Sequence, residues 1–225
     1  MGRYICIEGV KGSGKTTLIN GLKTMLDQQG VDWVSVSPTK PAAGFSVLEV
    51  VAAKLPRLRT IDRFNEALYA YRSNTTAHLT DWNKSLLIGD RSVITSYVTR
   101  WHKYADPHRC INRVNRIEWA IRPPDHVIYL QVDIKTAVTR TQNRKGRAYG
   151  KHDETERRIA QNIEAYNALM TGTWPVERIA NTRWHVVDGN RAPQFVVDEC
   201  LELIAHLAPE CLHTQVRTNT GLCIL

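Results

Sequence analysis

The chain has no long apolar run. Nothing in it approaches the roughly 20 residues that a membrane-crossing helix needs, so a membrane partner is not expected. Strand-like residues begin at Tyr4, which leaves no room for a secretory leader. The five cysteines, Cys6, Cys110, Cys200, Cys211 and Cys223, are scattered and odd in number, and none forms a C-x-x-C pair. That excludes a disulfide framework or zinc site as an organising feature and predicts free thiols in a reducing cytoplasm, the host's if the chain is phage-encoded. Cys223 has only two residues after it, so it is no prenylation box. Internal repeats and low-complexity tracts are also missing.

What is present begins at Tyr4. Tyr4-Ile5-Cys6-Ile7-Glu8 is a short apolar run suited to a buried strand. Gly9-Val10-Lys11-Gly12-Ser13-Gly14-Lys15-Thr16-Thr17 follows and matches G-x-x-x-x-G-K-[ST], the phosphate-binding loop. Glycines let successive backbone N–H groups turn toward a triphosphate. Lys15 reaches its outer phosphates, and the Thr16 hydroxyl joins a Mg²⁺ shell. A helical pattern follows, with Leu18, Leu22, Met25 and Leu26 on one face and Gly30 as a stop. Residues 9–17 are therefore the expected donor site, with ATP and Mg²⁺ as cofactors.

The rest alternates strand and helix. Apolar runs at 33–37, 86–90, 126–132 and 184–188 read as strands, and helical patterns lie at about 61–83, 134–145, 153–170 and 193–207. Residues 45–55 carry a fainter helical signal. An α/β fold follows: a five-stranded parallel sheet with helices on both faces and ligands at the carboxyl ends of the strands. One domain spans residues 1–208, and a tail, 209–225, is expected to be loosely held. Leu86-Leu87-Ile88-Gly89-Asp90 ends in an acid where phosphate-loop proteins hold Mg²⁺, so Thr16 and Asp90 are the expected metal residues. Arg140, Arg144, Lys145 and Arg147 surround a two-glycine segment. A lid over about 140–154 is expected there, with an arginine, Arg144 among them, closing on the moving phosphoryl group.

The formal net charge is +8 and the isoelectric point about 9.4. Such a balance suits anionic nucleotides, and equally a polyanion such as DNA. In residues 99–122, Arg100, Lys103, Arg109, Arg113, Arg116 and Arg122 are opposed only by Asp106 and Glu118, with Trp101, His102, Tyr104 and Trp119 interleaved. Two readings stay open here. The stretch is a solvated face with its aromatics turned inward, or a platform for a nucleic-acid strand.

These motifs together resemble the thymidylate kinase family of P-loop nucleoside and nucleotide kinases over roughly residues 3–207. Ile7 to Thr17 is similar to the family's "EGxxGxGKTT" opening, Asp90-Arg91 to its "DR" pair, Pro124 to Val132 to its "PDxxxYLxV" strand, and Val187-Asp188 to its late turn beside the adenine. The resemblance implies a P-loop kinase fold. It also implies an ATP-dependent phosphotransferase acting on a pyrimidine deoxynucleotide-type acceptor, and a homodimer. Lys15, Asp90, Arg91 and Arg144 would be catalytic, Asp188 would join residues 9–17 around the donor, and Lys40, Leu68, Arg72 and Ser92 would face the acceptor.

The acceptor half departs from the family pattern. The "REPGG" segment is here Pro38-Thr39-Lys40-Pro41-Ala42-Ala43-Gly44, without its acid. The stacking aromatic aligns with Leu68, next to Tyr69. Asp90-Arg91-Ser92 replaces "DRY" and is similar to the motif of deoxynucleoside kinases. Three acceptors therefore stand open: a free deoxynucleotide, a nucleoside, or a base hydroxymethyl group within DNA, as in the phage-type 5-hydroxymethyluridine DNA kinases. A P-loop ATPase switch without acceptor would need a water-activating Gln or Glu, and none lies in 91–97.

Overall fold

The fold is taken from a computed structural model, which describes residues 2–41, 46–55, 57–58, 61–143 and 155–212. Five strands form one all-parallel sheet in the order β2-β3-β1-β4-β5. They are β1 (Arg3–Glu8), β2 (Trp33–Val36), β3 (Leu86–Asp90), β4 (His126–Gln131) and β5 (Arg183–Asp188). Side chains alternate across the sheet. In β1, Tyr4 and Cys6 enter one core while Ile5 and Ile7 enter the other. In β4, Val127 and Tyr129 oppose Ile128 and Leu130 in the same way. Both faces are covered, so these strands read as continuous apolar runs rather than alternating ones.

One face is packed by α1 (Lys15–Gln28) and α8 (Pro193–Leu207) through Leu18, Leu22, Leu26, Val196, Val197 and Ile204. The other holds α4 (Val93–Arg100), α5 (Pro107–Ile117) and α7 (Glu156–Met170), with Tyr97, Val114 and Tyr166 in the core. Helices α2 (Val47–Lys54), α3 (Asp62–Leu79) and α6 (Ile134–Gln142) complete the frame. Local sequence explains most helix starts. Ser46, Ser92, Asp106, Asp133 and Thr155 cap α2, α4, α5, α6 and α7 through their side-chain oxygens, and Pro107 and Pro193 open α5 and α8. No helix among the described residues is long and apolar enough to cross a membrane.

Some expected boundaries shift. The helix expected over 61–83 stops at Leu79, where Thr80 turns extended and its hydroxyl donates to the Thr76 carbonyl. The helix expected over 134–145 stops at Gln142 and that over 153–170 starts at Glu156, so the expected lid, Arg144 and Arg147 included, falls largely outside the described residues. The tail is anchored at its start by α9 (Pro209–Leu212), whose buried Cys211 bonds the Ser85 carbonyl at 3.3 Å. Residues 42–44 of the acceptor-side loop also lie outside the described residues.

The amino ends of β4 and β5 carry a histidine pair, His126 Nδ1 and His185 Nε2, 3.1 Å apart. Burial, then His185 and Arg3, holds His126 below its ordinary value, with Asp125 opposing. Burial, then Arg183 and His206, does the same to His185. The unfolded chain therefore binds more protons near its free-histidine value of about 6.5, and stability is lost as pH falls below it. We expect the melting temperature to drop between pH 7.5 and 5.5. His185→Asn should make that slope shallower, and an unchanged slope would remove the pair as its cause.

Candidate active site

The carboxyl ends of β1, β3, β4 and β5 share one edge of the sheet, and the candidate residues gather there. The phosphate loop leaves β1 and enters α1 at Gly14, whose backbone is left-handed (φ 98°). Gly12 (φ 83°) passes so close to α6 that a Cβ would lie 2.3 Å from the Ala137 carbonyl oxygen. Only glycine fits both needs. Unlike the five helices above, α1 has no side-chain cap, and its first turn carries no acid. Its orphan N–H groups and positive dipole end are therefore left for an external anion.

Lys15 is buried and its Nζ turns into the loop, donating to the Gly9 and Val10 carbonyls at 2.7 Å each and to Ser13 Oγ at 3.1 Å. Beside the loop lies a cleft of about 140 Å³, walled by Leu130, Pro193 and Val196 and flanked by Arg140 and Arg191. Arg140 donates to the Gly189 carbonyl at 2.7 Å, so it braces the β5 turn while its guanidinium lies beside Gly14 of the loop. Asp188, expected at the donor, points to the same turn. Its Oδ1 accepts from the Asn190 amide and side chain, both at 2.9 Å, and Gly189 and Arg191 line the cleft instead. Apolar walls with a few cations beside a phosphate loop fit a nucleotide.

Asp90 ends β3 next to Ile7 of β1 and is buried. Lys40, from the loop after β2, places its Nζ 2.5 Å from Asp90 Oδ2. The expected acceptor residue and the expected metal residue are thus in contact. Oxygen donors such as the Thr16 hydroxyl and the Asp90 carboxylate fit Mg²⁺, which keeps most of its shell as water and phosphate. No cluster of three His, Cys, Asp or Glu ligands occurs among the described residues.

The other acceptor residues are less simply placed. Arg72 is buried and grips Glu49 of α2 with two bonds, Nε at 2.6 Å and Nη2 at 2.8 Å, while Nη1 donates to the Thr39 carbonyl at 3.1 Å. It therefore fastens α3 to α2 and to the loop carrying Lys40. Leu68 is 2% exposed and offers no face to a ligand. Its neighbour Tyr69 lies under two guanidiniums, those of Arg72 and Arg100, each 5.5 Å from the ring centroid. Ser92 is also buried. Its hydroxyl caps α4 and donates to Glu8 Oε1 at 2.8 Å, because a helix start and a buried carboxylate both claim it. Arg91 has φ 74°, an αL conformation unusual outside glycine, and its Nη1 donates to Thr95 Oγ1 at 3.3 Å.

The basic stretch is largely neutralised from within. Arg100 pairs with Glu118 at 2.9 Å, both buried. Lys103 pairs with Asp62, Arg113 with Glu66 at 3.4 Å, and Arg122 with Asp125 at 2.8 Å. Tyr104 donates to Glu66, and Trp101 packs edge-on against Trp174. Arg109, Arg116 and Trp119 remain exposed. The acids of α3 that supply this pairing are far away in sequence.

Comparison with known proteins agrees with this geometry. The thymidylate kinase family model matches residues 7–199. The chain belongs to the thymidylate kinase family. It is 26% identical over 213 residues to a probable thymidylate kinase of Methanobrevibacter smithii, covering 93% of this chain and 99% of that one. It is 30% identical over 217 residues to the probable thymidylate kinase of Thermoplasma acidophilum, covering 92% and 98%. A thymidylate kinase of Leptospira borgpetersenii is 28% identical over 207 residues, covering 89% and 92%. The chain is therefore an ATP-dependent nucleotide kinase with the P-loop fold.

Sequence reasoning missed Glu8, Thr95, Tyr166 and Glu49 as site residues. Glu8 carried a usable signal, since an acid ending a buried strand was the very pattern that singled out Asp90. The others meet the site only through tertiary packing.

Lys15→Ala should abolish the rise in melting temperature produced by ATP with Mg²⁺ and lower turnover at least about 10²–10³-fold, as for loss of a preorganised cation. Turnover within a few fold of the parent would overturn the loop's role.

Proposed function

We propose that the acceptor is a free pyrimidine deoxynucleoside monophosphate, with thymidylate the first candidate. The observation that carries this reading is the internal pairing of residues 99–122. A duplex acceptor would need several unpaired cations on one face, and a base flipped out at a cost of a few kcal/mol. Instead Arg100, Lys103, Arg113 and Arg122 are each held by an acid. The family names of the relatives point the same way.

In this mechanism the loop amides and Lys15 hold the donor's outer phosphates. Thr16 and Asp90 would hold Mg²⁺, which when bound would shield phosphate charge. Lys40 stands at Asp90, and its mostly exposed ammonium would be a cation available to the incoming monophosphate. Arg91 offsets charge on the moving group, with Arg144 of the expected lid as a second cation. An acceptor phosphate oxygen attacks the γ-phosphorus in line, and the bond to the β–γ bridging oxygen breaks. A phosphate oxygen is already ionised, so no general base is needed, and catalysis is positioning and electrostatics.

The test supplies labelled ATP with thymidylate, thymidine, and duplex DNA bearing 5-hydroxymethyluracil. We expect label on thymidylate, at least tenfold faster than on the other two. Label on DNA, with affinity falling steeply as salt rises, would replace this reading with the DNA-kinase one.

A further inference from the structure

Glu8 is fully buried in the strand that feeds the phosphate loop. A buried carboxylate is costly unless its lone pairs are filled. Here they are filled from two helices. The Ser92 amide and hydroxyl, both at 2.8 Å, donate to Oε1. Thr95 Oγ1 at 2.7 Å and Tyr166 Oη at 2.8 Å donate to Oε2. Burial and the nearby Glu8 charge push Tyr166 well above its ordinary value, so its hydroxyl stays a donor.

Thr95 does a second thing. While its hydroxyl donates to Glu8, it accepts from Arg91 Nη1 at 3.3 Å. A chain therefore runs from the carboxylate through one hydroxyl to the guanidinium. The same carboxylate grips Ser92, the residue after Arg91, and so helps to hold the left-handed backbone at Arg91. That conformation is strained outside glycine and persists only where neighbours enforce it. Removing this acid alone would strand one amide and three hydroxyls in the core, so Glu8 serves the fold as well. Its link through Thr95 to a left-handed arginine at the carboxyl edge of the sheet goes beyond that service.

We infer that Glu8 and Thr95 are positioning residues which aim Arg91 at the transferring phosphoryl group. Tyr166 ties the same carboxylate to α7, the helix that follows the expected lid. The inference deepens the kinase reading and rests on it for the consequence, though the Arg91 contact can be tested without turnover.

The experiment uses the full chain and compares Thr95→Val, Thr95→Ser and Glu8→Gln with the parent. Valine keeps the shape of threonine and removes the hydroxyl, and serine restores it. We expect Thr95→Val to lower kcat about 10–100-fold with KM for ATP changed less than about twofold, since misaiming one charge-bearing group acts on the transition state. Thr95→Ser should recover kcat to within about threefold, and Glu8→Gln should fall between them. Rates are taken well below each variant's melting temperature. In parallel, the Arg91 Nη–H resonances, assigned with Arg91→Lys, should include one slow to exchange in the parent and fast in Thr95→Val. Unchanged kcat in Thr95→Val, or a serine variant as slow as the valine one, would overturn the inference. So would an Arg91 resonance indifferent to Thr95, whatever the turnover. A parent that labels no acceptor, with an Arg91 resonance that still responds, would sink the kinase reading while the positioning contact stands.

Discussion

A carboxylate with no exposed surface sits one residue before the phosphate loop, and much of the site's geometry is set by what that requires. Glu8 cannot stay charged in the core without donors on both oxygens. The donors come from the start of α4 and from the middle of α7. Satisfying one side chain therefore fixes where two helices meet β1, and with them the Asp90–Ser92 turn. The loop itself is shaped by backbone needs at Gly12 and Gly14, but its position relative to the acceptor side depends on this buried acid.

Much of the fold could be read from the sequence because its determinants are local. Strands buried on both faces show as apolar runs, and the phosphate loop shows as spaced glycines with Lys15 and Thr16. The start of α5 within residues 99–122 is also written locally, in Asp106 before Pro107, a cap followed by a helix-opening proline. The partners of the charges in that stretch are less legible. Two of the acids that answer those cations, Asp62 and Glu66, lie on α3, some forty residues earlier. Sequence spacing holds no trace of that pairing.

The donor and acceptor halves of the site differ in legibility for the same reason. The phosphate loop is one contiguous segment. Acceptor-side groups are assembled from the β2 loop, α2, α3 and the β3–α4 turn, and each has two possible partners until the fold is known. Arg72 was expected at the acceptor and is found gripping Glu49. Ser92 was expected there and caps a helix. Leu68 aligned with a stacking aromatic and is buried. In each case a packing or hydrogen-bond demand takes up the side chain, and motif alignment carries no information about that demand.

The two acids at this edge show how environment separates roles. Glu8 and Asp90 end neighbouring strands, with Ile7 directly across from Asp90. Glu8 is saturated by an amide and three hydroxyls, all from rigid helices. Asp90 instead faces the ammonium of Lys40, a side chain that is mostly exposed, with its head free to move on a flexible stem. A divalent cation competes easily with one mobile lysine and poorly with four fixed donors. That difference favours Asp90 over Glu8 as the acid that would hold Mg²⁺ in the proposed mechanism, and leaves Glu8 to the frame around Arg91. Lys40 reaches Asp90 from the loop after β2, so a single ion pair joins the end of β3 to that loop.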